Sequence, residues 1–361
     1  MKACRGEVVD KVPVWFMRQA GRYQDSYQAI RKKTDFLTLC RTPKLAAQVT
    51  LNAVEELGVD AAIIFSDILI PLEAMGAQVR FRDRKSIESS PTGQAGADRG
   101  ERVGTFGPQI LNPPRNAEDI DTFQAVDPTS TMPFLGEAIA LTRAGLPKDV
   151  PLIGFAGAPL TLAAYLLEGG PSKSYYHLKS LIFNQPTVAH RLLSQLTDMI
   201  TRHLAYQITS GCQAIQLFDS WAGIWSPSDY SIWGTPYIKQ IFSSLAQQFP
   251  GKQHPKIFFG VNTATLLDQI TTMGADVIGV DWRVNLNKTK NMLAPHTVQG
   301  NLDPTCLLMD KARLGERINE LINSLDDTKH FIFNLGHGII PQTKVDHARH
   351  AVEVIHKLTS C

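Results

Sequence analysis

The chain has 361 residues, 43% hydrophobic and 19% charged, with a formal net charge of +2. That is an ordinary globular composition, long enough for one large barrel or two smaller domains, and it gives no reason to expect a nucleic acid or an anionic membrane as partner. Five scattered cysteines (Cys4, Cys40, Cys212, Cys306, Cys361) with no C-x-x-C pair argue against a disulfide framework and a structural zinc site. The opening MKACRGEVVDKVP has no apolar core for a secretory signal, so a cytoplasmic protein is expected.

The first informative stretch is MRQAGRYQDSYQAIR, Met17 to Arg31. Seven basic residues lie between Arg18 and Lys44 (Arg18, Arg22, Arg31, Lys32, Lys33, Arg41, Lys44) against two acids, Asp25 and Asp35. Guanidinium forks fit carboxylates or phosphates two bonds at a time, so the cluster suits an anionic small ligand; a solvated basic surface is the competing reading. Thr42 followed by Pro43 predicts a helix start, with LAAQVTLNAVEEL running to Gly58. DAAIIFSD (Asp60 to Asp67) then predicts a buried strand. The segment Arg82 to Arg102 is polar and rich in Gly and Ser, an exposed excursion rather than a linker, and RVGTF (Arg102 to Phe106) after it is a weak strand.

Val150 to Leu167 runs uncharged for nearly the length of a membrane span. Gly154, Gly157 and Pro159 interrupt it and Glu168 closes it, so a strand, PLIGFAG (Pro151 to Gly157), and a helix are expected instead. A long helix follows Asn184, with Val188, Leu192, Leu196, Met199 and Ile200 on one face, and stops at Gly211. Five further strands complete a set of eight: AIQLFDS (Ala214 to Ser220), KIFFGVN (Lys256 to Asn262), DVIGVDW (Asp276 to Trp282), TVQGNLD (Thr297 to Asp303) and FIFNLGH (Phe331 to His337). Helices are expected between them, among others in ATLLDQITTMG and ARLGERINELINSL. Several of the strands are continuously apolar, as in a parallel sheet covered on both faces.

Eight parallel strands separated by helices predict a closed (β/α)8 barrel, the absence of G-x-G-x-x-G after the first strand weakening an open doubly wound sheet. Such barrels carry their reactive groups in a cleft at the C-terminal strand ends, which here offer Ser66 and Asp67, Asp219 and Ser220, Asp281, Asn301 and Asp303, and Asn334 and His337. Closure of the barrel makes the first and eighth strands neighbours and brings Asp67 towards His337. Asp67, inside the apolar IIFSDILIPL, must find partners or raise its pKa; a structural aspartate bonded to backbone amides is the alternative. His337 lies between Gly336 and Gly338, where backbone can approach a ligand closely.

Six blocks in order carry a resemblance: PVWFMRQAGRY (Pro13 to Tyr23), DAAIIFSDIL (Asp60 to Leu69), YLLEGG (Tyr165 to Gly170), LFDSWAG (Leu217 to Gly223), QGNLDP (Gln299 to Pro304) and FNLGHGI (Phe333 to Ile339). Over nearly its whole length the chain resembles the uroporphyrinogen decarboxylase family. The resemblance implies a single barrel domain over 1–361, working as a cytoplasmic homodimer in haem and chlorophyll synthesis. It also implies removal of four acetate carboxyls from uroporphyrinogen III to give coproporphyrinogen III, without metal or organic cofactor. By the same resemblance Arg18, Gln19, Ala20, Gly21, Arg22 and Arg31 hold substrate carboxylates, Asp67 receives the pyrrole N–H groups, and Tyr165, Ser220 and His337 line the cleft. Asp67, Arg18 and Arg22 are the expected catalytic residues: a fixed carboxylate stabilises positive charge developing on a protonated pyrrole, while the arginine lip positions the acetate and helps supply protons. Which group delivers each proton stays open, since arginine is a poor general acid.

Two other readings compete. Related zinc-dependent methyltransferases need a thiolate-rich site of H-x-C type, and no histidine here is followed two places later by cysteine. A tetrapyrrole-binding protein that had lost the chemistry should lack the strand-one carboxylate or the arginine pair, and this chain has both. The aromatic run Trp221, Trp225, Tyr230, Trp233 and Tyr237 suits either a dimer contact or packing within the barrel rim.

Overall fold

The computed structural model describes residues 1–82, 107–251 and 253–360. Seven strands form one parallel sheet in the order β1 (Ala62–Ile63), β4 (Leu152–Gly157), β5 (Ala214–Asp219), β6 (Lys256–Gly260), β7 (Val277–Gly279), β8 (Thr297–Leu302) and β9 (Phe331–Leu335). Each is an expected apolar run, and β8 and β9 are buried along their whole length, which is why they carry no polar–apolar alternation.

The eighth position is filled by a segment the sequence reading did not count as a strand. Val14 bridges Phe333 of β9 in parallel, with Phe333 N–H donating to Pro13 O at 2.9 Å. On its other side Asp60 N–H, at the entrance to β1, donates to Val14 O at 2.8 Å. Pro13–Phe16 is therefore the stave that closes the ring between β9 and β1, and the barrel is of (β/α)8 type with its first stave reduced to a bridge. RVGTF was expected instead as a weak second strand, between β1 and β4. It lies outside the described residues, as does most of the excursion beginning at Arg82, but β1 pairs directly with β4 (Ala62 with Leu152) and leaves no gap for a strand between them. What the chain does build there is an antiparallel hairpin off the barrel, β2 (Val79–Arg82) with β3 (Gly107–Ile110), fastened by Ile110 N–H to Gly169 O at 2.9 Å.

The helices follow their sequence signals. The helix α3 (Pro43–Leu57) starts at Pro43 and stops at Gly58, although Thr42 bonds back to Thr38 O rather than capping it. Val150 to Leu167 resolves into β4 and the helix Pro159–Glu168, and the long helix spans Pro186–Thr209. ATLLDQITTMG yields a single turn, Leu267–Ile270, whereas the other expected helix forms over Lys311–Asn323. No helix among the described residues is long and apolar enough to cross a membrane.

Inside the barrel a few polar side chains are buried and bonded to one another. Trp15 Nε1–H donates to Gln299 Oε1 at 2.9 Å, and Gln299 Nε2–H donates to Gln216 Oε1 at 3.2 Å, linking the first stave, β8 and β5 across the interior. Such bonds cost little once made and much if one partner is lost, so they fix how the staves register.

Candidate active site

The new stave changes the geography of the site. Because Pro13–Phe16 is a barrel strand, MRQAGRY is the loop at its C-terminal end, and it stands between Asp67 and His337 rather than beside them. The expected adjacency of their two strands is corrected accordingly: the Val14 stave lies between β9 and β1, and the charge of Arg18 on its loop acts on both Asp67 and His337.

The loop is tied down through amides. Gln19, 1% exposed, accepts Phe16 N–H (3.1 Å) on Oε1 and donates to Ala61 O (3.1 Å) from Nε2, while Tyr23 O–H donates to Gln19 O at 2.6 Å. Gln24 Oε1 accepts Gly21 N–H at 2.9 Å and Gln24 Nε2–H donates to Glu56 Oε2 at 2.9 Å. The side chain of Gln19 and the amide of Gly21 are thus committed to the loop itself; Ala20 stays partly exposed.

Arg18 and Arg22 are exposed, and neither makes a side-chain hydrogen bond or ion pair among the described residues. Arg18 holds a left-handed backbone, φ 58°, a conformation that costs a non-glycine residue and persists only where the surroundings impose it. Those surroundings come from the turn after β9. Asn334 Oδ1 accepts Met17 N–H (3.1 Å), Ile339 N–H donates to Met17 O (2.9 Å), and a Cβ on Gly338 would lie 2.4 Å from Arg18 Cδ. Glycine is required there because the arginine stem lies over its backbone. Arg31, on α1 (Asp25–Arg31), is occupied nearby: it donates to Thr34 O and its guanidinium lies 5.9 Å from the Phe36 ring centre.

Asp67 follows β1. Phe65 N–H is held by Thr50 Oγ1 of α3 (2.9 Å), and Leu69 and Ile70 just beyond are buried, so the aspartate is left at the rim between two anchors. Its Oδ1 accepts Leu69 N–H at 2.9 Å. Part of its surface opens to the cleft, yet burial pushes its carboxyl up to about 6; the Leu69 amide and the Arg18 charge pull down, and Glu73 pushes up. This is a carboxylate kept short of partners.

Tyr165, on the helix after β4, feels both Asp67 and Arg18, and burial raises its phenol. Its ring lies 6.0 Å from that of Trp221, which places the Ser220–Trp221 turn after β5 beside it. Before Ser220, fully buried Asp219 accepts Thr161 Oγ1–H (2.6 Å) and Tyr230 O–H (2.7 Å) and anchors the turn. His337 Nδ1 accepts Gly338 N–H at 2.8 Å, so the neutral ring carries its proton on Nε2. Burial first, then the charges of Arg18 and Arg283, lower its pKa to about 4.

The rim thus brings Asp67, Tyr165 and His337 within reach of the Arg18 charge, with Arg22 on the same loop and Ser220 on the turn beside Tyr165. Others of the strand-end residues are structural: Asp303 caps the following turn through Thr305 N–H (2.9 Å), and Asn301 Nδ2 donates to Asp281 O and Val284 O. The aromatic run is also structural in large part. Trp225, Tyr230, Trp233 and Tyr237 are buried within this chain, which favours rim packing and removes them as dimer contacts. Two features went unread in sequence, the seat that Asn334 and Gly338 make for Arg18, and Arg283 beside Asp281. For the second the signal was available, a basic residue just past a strand-end acid.

Comparison with known proteins identifies the family. The family model described as Uroporphyrinogen decarboxylase (URO-D) matches residues 1–358. A uroporphyrinogen decarboxylase of Myxococcus xanthus is 44% identical over 358 residues, covering 99% of this chain and 95% of that protein. One from Carboxydothermus hydrogenoformans is 42% identical over 362 residues, covering 100% and 96%. Among solved structures a methyltransferase from Methanosarcina mazei superposes with TM-score 0.76 at 18% identity, covering 99% of this chain and 97% of that one, a likeness of fold alone. With full-length relatives at this identity and a family model spanning the barrel, the chain belongs to the uroporphyrinogen decarboxylase family.

Proposed function

We propose that this chain removes the four acetate carboxyls of uroporphyrinogen III, giving coproporphyrinogen III and four CO2, as one catalytic domain and without metal or organic cofactor. The observation that carries the reading is Asp67, a carboxylate at the cleft with few partners of its own, near a loop whose two arginines make no side-chain bond among the described residues. A carboxylate needing donors suits pyrrole N–H groups at a macrocycle centre, and free guanidiniums suit the carboxylates at its edge.

The chemistry follows from charge. Protonation of a pyrrole α-carbon makes the ring cationic. The bond from the acetate methylene to its carboxyl then breaks, CO2 leaves, and the electron pair forms an exocyclic double bond that neutralises the ring. Protonation of that methylene and loss of the α-proton give the methyl group, one proton consumed per CO2. Asp67 stabilises the cation, and a fixed charge in a water-poor site does so without reorganising. Arg18 and Arg22 hold the acetate, and protons arrive from the arginines or water bound to them. His337 offers Nε2–H as a neutral donor, and Tyr165 and Ser220 complete the wall.

The enzyme works in the cytoplasm as a homodimer, read out as solution mass at micromolar concentration. The reaction is tested by incubating purified protein with uroporphyrinogen III under reducing conditions and chromatographing the products. Successive loss of four carboxyls is the expected result; unchanged octacarboxylate refutes the reading.

A further inference from the structure

We propose that Arg283 is a further carboxylate anchor of the cleft, holding a propionate of the substrate on the side of His337. The assignment rests on the function proposed above and names a residue outside the loop that carries Arg18 and Arg22.

The geometry is set by two turns in contact. A Cβ on Gly336 would lie 2.5 Å from Trp282 N, so the backbone after β7 abuts the backbone one residue before His337, and Arg283 emerges from that junction. Its guanidinium lies 4.0 Å from the centre of the Trp282 ring, and Nη1–H donates to Asp281 Oδ2 at 3.0 Å. Asp281 is 2% exposed, whereas the Arg283 side chain is 44% exposed. One edge of the group is therefore fixed against a buried acid and an aromatic face while the remaining donors look outward. Asp281 does not depend on that bond alone, since it also accepts Asn262 N–H (2.6 Å) and Arg283 N–H (2.9 Å). A guanidinium immobilised in this way has already lost the rotamer freedom that binding an anion would otherwise cost.

The position also selects which carboxylate. Arg283 follows β7 and Asp67 follows β1, with β8, β9 and the first stave between them, so it stands along the rim from the reacting centre. An arginine locked in place fits a side chain that stays put through all four reactions. The propionates keep their carboxyls through all four reactions, so an anchor on one of them serves every step.

The test uses full-length Arg283→Gln, which keeps a donor for Asp281 but removes the charge, with the octacarboxylate substrate and the pentacarboxylate intermediate compared. Loss of one charge-assisted contact should raise KM about tenfold for both, with kcat within about twofold of wild type. Unchanged KM for both, or a rise confined to the octacarboxylate, overturns the assignment. Arg283→Lys keeps the charge and loses the fork, and should raise KM about threefold for both substrates; wild-type KM there also overturns it. Failure of the wild-type protein to decarboxylate refutes the proposed reaction instead, so the two outcomes are distinguishable.

Discussion

At the scale of single residues, burial works against the charge of Asp67. Its folded pKa of about 6 lies above the ordinary carboxylate value, so the native state holds the proton more tightly than the unfolded chain does. Stability consequently falls as pH rises from about 4 to about 6, and above that the ionised carboxylate costs on the order of 2 kcal/mol. Asp67→Asn should raise Tm by several degrees at pH 7 and by nothing at pH 4, as thermal scans at both values would read. Equal shifts at the two pH values would contradict this account of its pKa. Gly338 is the second test at this scale. A methyl there meets the Arg18 stem, so Gly338→Ala should displace the guanidinium and raise KM about tenfold, the size of one charge-assisted contact. Steady-state kinetics with the octacarboxylate decide it, and a KM equal to wild type would show that the arginine does not need that seat.

At the scale of elements, the N-terminal stave joins sequence to site. Its register is fixed from below by Asp60, whose Oδ2 accepts Val14 N–H (2.8 Å) and bonds His356 Nε2 (2.7 Å), with Lys11 Nζ 3.4 Å from Oδ1. Burial alone would raise the Asp60 carboxyl, but His356, Val14 and Lys11 outweigh it and hold the pKa down. The contribution is present above the unfolded carboxylate pKa and lost as pH falls through the folded one. Asp60→Ala should cost about 2 kcal/mol at pH 7, measured by urea unfolding, because it leaves a buried amide unpaired; a loss under about 0.5 kcal/mol would contradict the clamp. Apolar runs such as PLIGFAG and FIFNLGH made seven strands legible, since nothing but a covered sheet buries them continuously. Val14 was not legible, for its strand is a single bridge and the surrounding sequence was read for its charges. The hydrophobic periods also could not say that Gln19 turns inward or that Asn334 reaches Met17, which are matters of side-chain direction within a loop. Asp67 was legible because an acid within an apolar run has few ways to be accommodated.

At the scale of the whole molecule, a nearly neutral chain concentrates unpaired positive charge at one end of a barrel. Exposed charges on that rim attract a polyanion over a distance set by the ionic strength. Raising salt from about 0.05 to about 0.5 M should therefore lower kcat/KM several-fold, mainly through KM; a salt-independent value would argue against an electrostatic role for the lip. Asp67 acts chiefly in the transition state of the proposed reaction, so the deciding measurement is the turnover of Asp67→Asn with uroporphyrinogen III at saturating concentration. A fall in kcat of at least about a hundredfold, with KM changed by less than about threefold, is the predicted result for a charge used chiefly in the transition state. Wild-type kcat in that variant would contradict it.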